Sequence, residues 1–328
     1  MSEQELINRL DESIDAIIAR RVADVSSTGE ETLDSLSALA VELCAMPRES
    51  FKSNLREELR RSATMTTTSA TTGKEAQQSP KKVRQTITPY LTVERAEELV
   101  DFVKTAFDGV EVFRTIGSAG GLHAEVVIGD SKLMIGGYEG VEEIPTALHL
   151  YVPDADAVYQ RALAAGGTSL EEPVDQFYGD REAGIKDPTG NVWWIATHKE
   201  GPAGSFIPEG MRPVTPFLHS VGVAGLIDFL KGAFDAEEVS RYQSPEGVIQ
   251  HAVVRIGDSL LEMGEAHGEA QPMPPALFLD VENLEEAYER ALSAGATSLQ
   301  PPSEQPYGRT AWVKDAWGTV WYLAQGSS

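Results

Sequence analysis

The chain says nearly the same thing twice. ITPYLTVERAEELVDFVKTAF at 87–107 answers to VTPFLHSVGVAGLIDFLKGAF at 214–234, an offset of 127. HAEVVIGDSKLMIGG from His123 matches HAVVRIGDSLLEMGE from His251 at an offset of 128. YQRALAAGGTSLEEP from Tyr159 matches YERALSAGATSLQPP from Tyr288 at 129, and KDPTGNVWWIA from Lys186 matches KDAWGTVWYLA from Lys314 at 128. The drift of one residue places single insertions and deletions in loops. A tandem duplication with units of about 110 residues, each an ordinary domain length, must fold as two like bodies.

Each copy has a rhythm of its own. In copy one, strand patterning at 87–93 is followed by helical patterning at 94–107, then by strands at 111–115, 123–128 and 132–135. The pattern restarts with a strand at 147–152, a helix at 155–165, a short strand near Ser169, and strands at 184–186 and 191–197. That is βαβββ twice per copy and four times in the chain. Gly129-Asp130-Ser131 and Asp187-Pro188-Thr189-Gly190 supply the backbone conformations of hairpin turns. Leu99 and Val103, and Val158 and Ala162, form single apolar stripes, so the helices cover one face of a sheet. The opposite, concave face must hold either a core or a ligand. The expected fold is α+β: two tandem domains at 85–200 and 213–326, preceded by a small all-α segment.

That segment occupies residues 1–62. Leu6, Leu10, Ile14, Ile17 and Ile18 share a helical face, Thr28–Glu31 reads as a capping box, and Pro47 opens a third helix. Residues 63–84 lack periodicity and large apolar side chains and read as a flexible linker. The helices can pack on their own chain or dock on a protein partner. Charge separates this region from the body. Of a net −24, residues 85–328 carry −22, with 15 basic against 37 acidic side chains. Such a body repels phosphate backbones and anionic lipid, which disfavours nucleic-acid and membrane-surface binding. The polar, acidic first residues do not resemble a signal peptide, and no apolar run approaches the ~20 residues that span a bilayer. With one cysteine, Cys44, the chain reads as cytoplasmic.

The repeated units, with ITPYLTV, HAEVVIGDSKLM, LYVPDADAVYQRALAAGG and YGDREAGIKDPTGNVWWIATH, resemble the vicinal oxygen chelate superfamily of glyoxalase I, bleomycin- and fosfomycin-resistance proteins and extradiol dioxygenases, and within it the PhnB-like branch. The resemblance covers roughly 85–200 and 213–326. It implies that metal-dependent members draw His, Glu or Gln ligands from the first and last strands of each half. The corresponding positions are Thr88, Met134, Ala147 and Trp194 in copy one and Thr215, Glu262, Ala276 and Tyr322 in copy two. Only Glu262 suits a cation, so no cofactor is expected. A divalent ion (Zn, Ni, Fe or Mn) in the second domain is the alternative.

Strand alternation places the remaining candidates in an aromatic hollow within each copy. Copy one contributes Tyr90, His149, Trp194 and His198. Copy two contributes Phe217, His219, Glu262, Phe278 and Tyr322. His123 and His251 recur at matching strand starts and join the candidate ligand-binding set. Arg181 and Arg309 are expected to pair with Asp187 and Asp315, or to clamp a carboxylate. The leading expectation is a small-molecule-binding protein with metal-free aromatic pockets. The alternatives are a lyase- or dioxygenase-like enzyme using Glu262 and His219 as ligands or as an acid/base pair, and a ligand-sensing regulator whose residues 1–62 bind a partner. Since a tandem chain can complete its own pockets, monomer and homodimer both fit.

Overall fold

In a computed structural model of the chain the described residues are 85–117, 120–201, 204–266, 271–305 and 307–325. The helices and linker expected in residues 1–84 lie outside them. Four βαβββ units follow one another. The first comprises β1 (Ile87–Thr92), α1 (Ala96–Phe107), β2 (Val110–Ile116), β3 (Leu122–Ile128) and β4 (Ser131–Gly137). The second comprises β5 (Ala147–Tyr151), α2 (Ala155–Ala164), β6 (Thr168–Asp175), β7 (Asp180–Lys186) and β8 (Val192–His198). Copy two supplies β9 (Val214–Ser220), α3 (Val223–Phe234), β10 (Glu237–Gln243), β11 (Ile249–Ile256) and β12 (Ser259–Glu265). Its second unit is β13 (Ala276–Val281), α4 (Leu284–Ser293), β14 (Thr297–Gln305), β15 (Gly308–Lys314) and β16 (Val320–Gln325).

The copies do not fold into separate sheets. Strands β1 and β13 pair antiparallel, as do β5 and β9. The result is one eight-stranded sheet ordered β14-β15-β16-β13-β1-β4-β3-β2 and another ordered β10-β11-β12-β9-β5-β8-β7-β6. Each sheet therefore takes one unit from each copy. The expectation of one hollow per copy is corrected accordingly: both hollows are built across the copies. Local patterning carries no information on which edge the first strand of a unit will join, because either junction satisfies its hydrogen bonds.

The cores, by contrast, lie almost wholly within the copies: Val214 joins the first cluster from copy two, and Ile87 joins the second from copy one. Helix α1 buries Leu99, Val100, Phe102, Val103, Ala106 and Phe107, and these join Val158, Tyr159 and Ala162 of α2 in one cluster. Helices α3 and α4 repeat the arrangement in copy two. The largest fully buried members are matched tryptophans. Trp193 packs on Phe107 with ring centroids 4.6 Å apart, and Trp321 on Phe234 at 4.8 Å. Each indole N–H donates to a buried aspartate, Asp187 or Asp315, at 2.9 Å. Truncating such a residue typically costs ~3–5 kcal/mol. The C-termini of α1 and α3 end on Asp108 and Asp235 in the left-handed region (φ 57° and 53°). Arg161 and Arg290 reach across to donate to the last carbonyls, Ala106 O and Ala233 O, and to pair with those aspartates. A cation there offsets the negative end of the helix dipole.

Two sequence expectations need correction. Asp187 accepts hydrogen bonds from the backbone of Thr189 and Asn191 and from Trp193, and Arg181 lies elsewhere, paired with Asp156 and Asp175. Likewise Arg309 pairs with Glu285 and Glu304. Second, the short strand near Ser169 is the full edge strand β6, and β7 begins at Asp180. Strand β6 is almost wholly exposed, so no apolar alternation marks it, and its Pro173 is tolerated because an edge strand leaves N–H groups unpaired.

Candidate functional site

Alternation on the central strands sets the floor of the β5–β12 sheet. Leu148 and Leu150 belong to the helix-side core, which turns His149 and Tyr151 to the concave face. On β12, Leu261 and Met263 do the same for Glu262. These rows meet at the junction between the copies. His149 Nδ1 donates to Glu262 Oε2 at 3.0 Å, and His251 Nε2 on β11 reaches the same oxygen at 3.3 Å. On the other side, His149 Nε2 lies 3.2 Å from Glu182 Oε2 of β7, off the direction of a true hydrogen bond. Tyr178 Oη donates to Glu182 Oε1 at 3.1 Å. His149 and Glu262 are buried, at 6% and 1% exposure.

An imidazole flanked by two carboxylates takes a fixed charge. Burial alone pushes His149 down, but the charge of Glu262, with Glu182 behind it, holds it up at about 10. Burial pushes Glu262 the other way, and His149 with His251 overcomes it, leaving its carboxyl at about 2. Beside them the Tyr151 phenol is pushed up by burial and by the charges of Glu262, Asp180 and Glu182. Glu262 Oε1 has no hydrogen-bond partner. Above this floor opens a hollow of about 750 Å³. Its walls include Trp194 and Phe217, and its rim includes the exposed Phe177, Tyr178 and Tyr242.

The other sheet puts different residues at the equivalent places. Met134 stands for Glu262, Phe278 for His149, Thr310 for Glu182 and Trp312 for Gly184. Rings fill this hollow. Tyr90 packs edge-on against Tyr322 at 5.3 Å, and Tyr322 against Trp312 at 5.3 Å. The Tyr90 hydroxyl meets His123 Nδ1 at 3.3 Å, and burial pushes that phenol up to about 12. Gly136 makes room for the ring, since a Cβ there would lie 2.4 Å from the Tyr90 oxygen.

A sequence profile described as the Glyoxalase/Bleomycin resistance protein/Dioxygenase superfamily matches residues 85–195 and 222–323. The chain belongs to this superfamily. An uncharacterized protein of Mycobacterium bovis is 37% identical over 124 residues, covering 34% of this chain and 82% of its own. An uncharacterized protein of Mycobacterium tuberculosis has the same identity over the same length, covering 34% and 73%. Glyoxalase I of Zea mays superposes with a TM-score of 0.57 at 15% identity, over 73% of this chain and 92% of that one. At that identity the likeness is one of fold.

Strand register shows which residues stand side by side on the central strands. Tyr90 lies opposite Met134, His149 opposite Trp194, Phe217 opposite Glu262, and Phe278 opposite Tyr322. The first-strand positions that the resemblance implies, Thr88, Ala147, Thr215 and Ala276, each lie two residues before these on the same face. All four positions in the ring-filled hollow lack a metal-binding atom of the expected kind. In the open hollow the set is Ala147, Trp194, Thr215 and Glu262, of which only Glu262 is a ligand of that kind, and the rings of Trp194 and Phe217 offer a cation no lone pair. Among the described residues no group of three or more His, Cys, Asp or Glu is arranged to hold a metal ion. This donor set does not fit the superfamily's metal centre.

The other sequence candidates divide between the hollows. His149, Trp194, Phe217, His219, His251 and Glu262 come together in the open one, while Tyr90, His123, Phe278 and Tyr322 belong to the other sheet. His219 packs against Phe217 at 4.6 Å, and the imidazoles hydrogen-bonded to Glu262 are those of His149 and His251. His198 bonds Asp180, which lines the hollow, at 2.6 Å. Sequence reasoning missed Glu182, Asp180 and Tyr151. The available signal was the two-residue period Asp180–Glu182–Gly184, hidden by starting β7 four residues late. No helix among the described residues is long and apolar enough to cross a membrane.

Proposed function

We propose that the chain binds a small organic molecule in the hollow between β7 and β11 and holds it by shape, ring contacts and charge, without covalent chemistry. The carrying observation is the contrast between the duplicated sheets. The ring-filled sheet keeps the same topology with Met134, Phe278 and Thr310 where the open sheet has Glu262, His149 and Glu182. The fold therefore does not need the buried charges, and burying them opposes stability. A ligand is the reason this reading gives for their presence. Aromatic walls with a few convergent polar groups, in a space of about 750 Å³, suit a compact organic molecule. The charge states also support binding over proton transfer. A carboxyl held at about 2 is a weak base at neutral pH, and an imidazolium held at about 10 is a weak acid.

Native mass spectrometry of the full chain against a library of flat heteroaromatic fragments tests this. The expected result is binding of one fragment per chain, lost in His149→Phe. A library without a single binder, or binding indifferent to that substitution, counts against the proposal.

A further inference from the structure

We infer that Glu262 anchors a protonated nitrogen, so that the ligand of the open hollow is a flat aromatic cation carrying at least one N–H. This rests on the binding reading above and names its chemical class. Three independent observations lead to it.

The first is an orphaned acceptor. Glu262 Oε2 receives both histidines, whereas Oε1, on a side chain 2% exposed in the floor of the hollow, receives nothing. A buried charged oxygen without a donor is costly, and only a partner bearing N–H or O–H relieves it. A ligand carbonyl, carboxylate or phosphate presents further lone pairs to Oε1 and is repelled.

The second is charge. Glu171, Asp180, Glu182 and Glu262 line the hollow, and neither Lys nor Arg does. His149 beside Glu262 and Glu182, His251 on Glu262 and His198 on Asp180 offset part of this, and no Lys or Arg among the lining residues offsets the rest. That favours a cation over a neutral hydroxyl. The third is the walls. Trp194 and Phe217 line the hollow, and contact between such rings and a flat cation strengthens as water is excluded.

These contributions predict different orders of affinity. Ring contact and general charge favour any flat cation, but an oxygen needing a hydrogen-bond donor discriminates between cations with and without N–H. The experiment compares four three-ring probes of similar outline at pH 7 by isothermal titration calorimetry on the full chain. They are 9-aminoacridine (cationic, with N–H), 10-methylacridinium (cationic, without N–H), 9-anthracenemethanol (neutral) and 9-anthracenecarboxylate (anionic). The expected order places 9-aminoacridine at least tenfold tighter than 10-methylacridinium, with the neutral probe weaker and the anion weakest. Glu262→Gln, whose amide nitrogen no longer demands a donor, should collapse the first difference to within about twofold. Because that substitution strips a partner from His149, circular dichroism confirms its fold, and the comparison between the two cations in the unaltered chain stands without it. Equal affinity for the two cations overturns the inference, as does a preference that survives in Glu262→Gln. If the neutral probe binds best, the hollow is a binding site and only the inferred ligand class fails. If none of the four binds, the inference falls, and the fragment library decides the reading beneath it.

Discussion

The indole of Trp194 lies across Gly184, close enough that a Cβ on the glycine would sit 2.6 Å from the ring. The position matching Gly184 in the other sheet is Trp312, whose own ring stands against Tyr322. The Trp312 ring, with no counterpart at Gly184, is one of the differences between the filled hollow and the open one. Gly184→Ala should destabilise the protein by about 1–3 kcal/mol through overpacking and weaken 9-aminoacridine binding by displacing Trp194. Urea unfolding and calorimetry measure the two effects. A neutral Gly184→Ala would show that the ring is free to move.

The buried cluster gives a sharper test, because the chain contains its own apolar replacement. Glu262→Met alone strands His149 between an apolar group and Glu182, and should cost about 3–5 kcal/mol. The triple substitution His149→Phe, Glu182→Thr and Glu262→Met installs the residues of the other sheet. Its stability should return to within ~1 kcal/mol of the parent or exceed it, with 9-aminoacridine binding lost. Denaturation midpoints and slopes decide the matter, and additive losses would contradict it.

The same pair should leave a mark on stability against pH. His149 is held above its ordinary 6.5, at about 10, so its contribution is complete below pH about 6.5 and is lost as pH rises through about 10. Glu262 is held below its ordinary 4.5, at about 2, so its contribution is complete above pH about 4.5 and is lost as pH falls through about 2. The parent should therefore gain most from the pair between about 4.5 and 6.5. Thermal melts of parent and triple variant across pH 3–10 (roughly the span these pKa values define) isolate the effect. A constant difference across that range would mean the pair is not ionised as described.

Separating the copies tests the topology. A fragment of residues 85–212 keeps its own core apart from Val214 but loses the partners of β1 and β5, which pair with β13 and β9. Two open strand edges favour self-association. Sedimentation should show the fragment as a dimer or larger, and the complementary fragment from 213 onward should convert it to a one-to-one complex. A monomeric fragment with native-like near-ultraviolet dichroism would refute the cross-copy pairing.

Much of this was legible in the sequence. The offsets of 127, 128 and 129 locate the copies, turns at Gly129 and Asp187 punctuate them, and alternation correctly turns His149, Trp194 and Glu262 to the concave face. What alternation cannot do is say which residue of a face meets a residue of another strand, as His149 meets Glu262. Nor does any local pattern reveal that β5 borders β9, and so His149 and Glu262, 113 residues apart, read as members of different hollows. Glu182 escaped because β6, its exposed neighbour, has no apolar period to reveal the hairpin.

The crossing of the two copies within each sheet has a further consequence. Had two identical separate chains assembled this way, a twofold axis would have imposed the same residues on both hollows, and every substitution would have struck both at once. Covalent fusion removes that symmetry. One hollow is free to become solid ballast for the scaffold while the other carries charges that no stable core would choose.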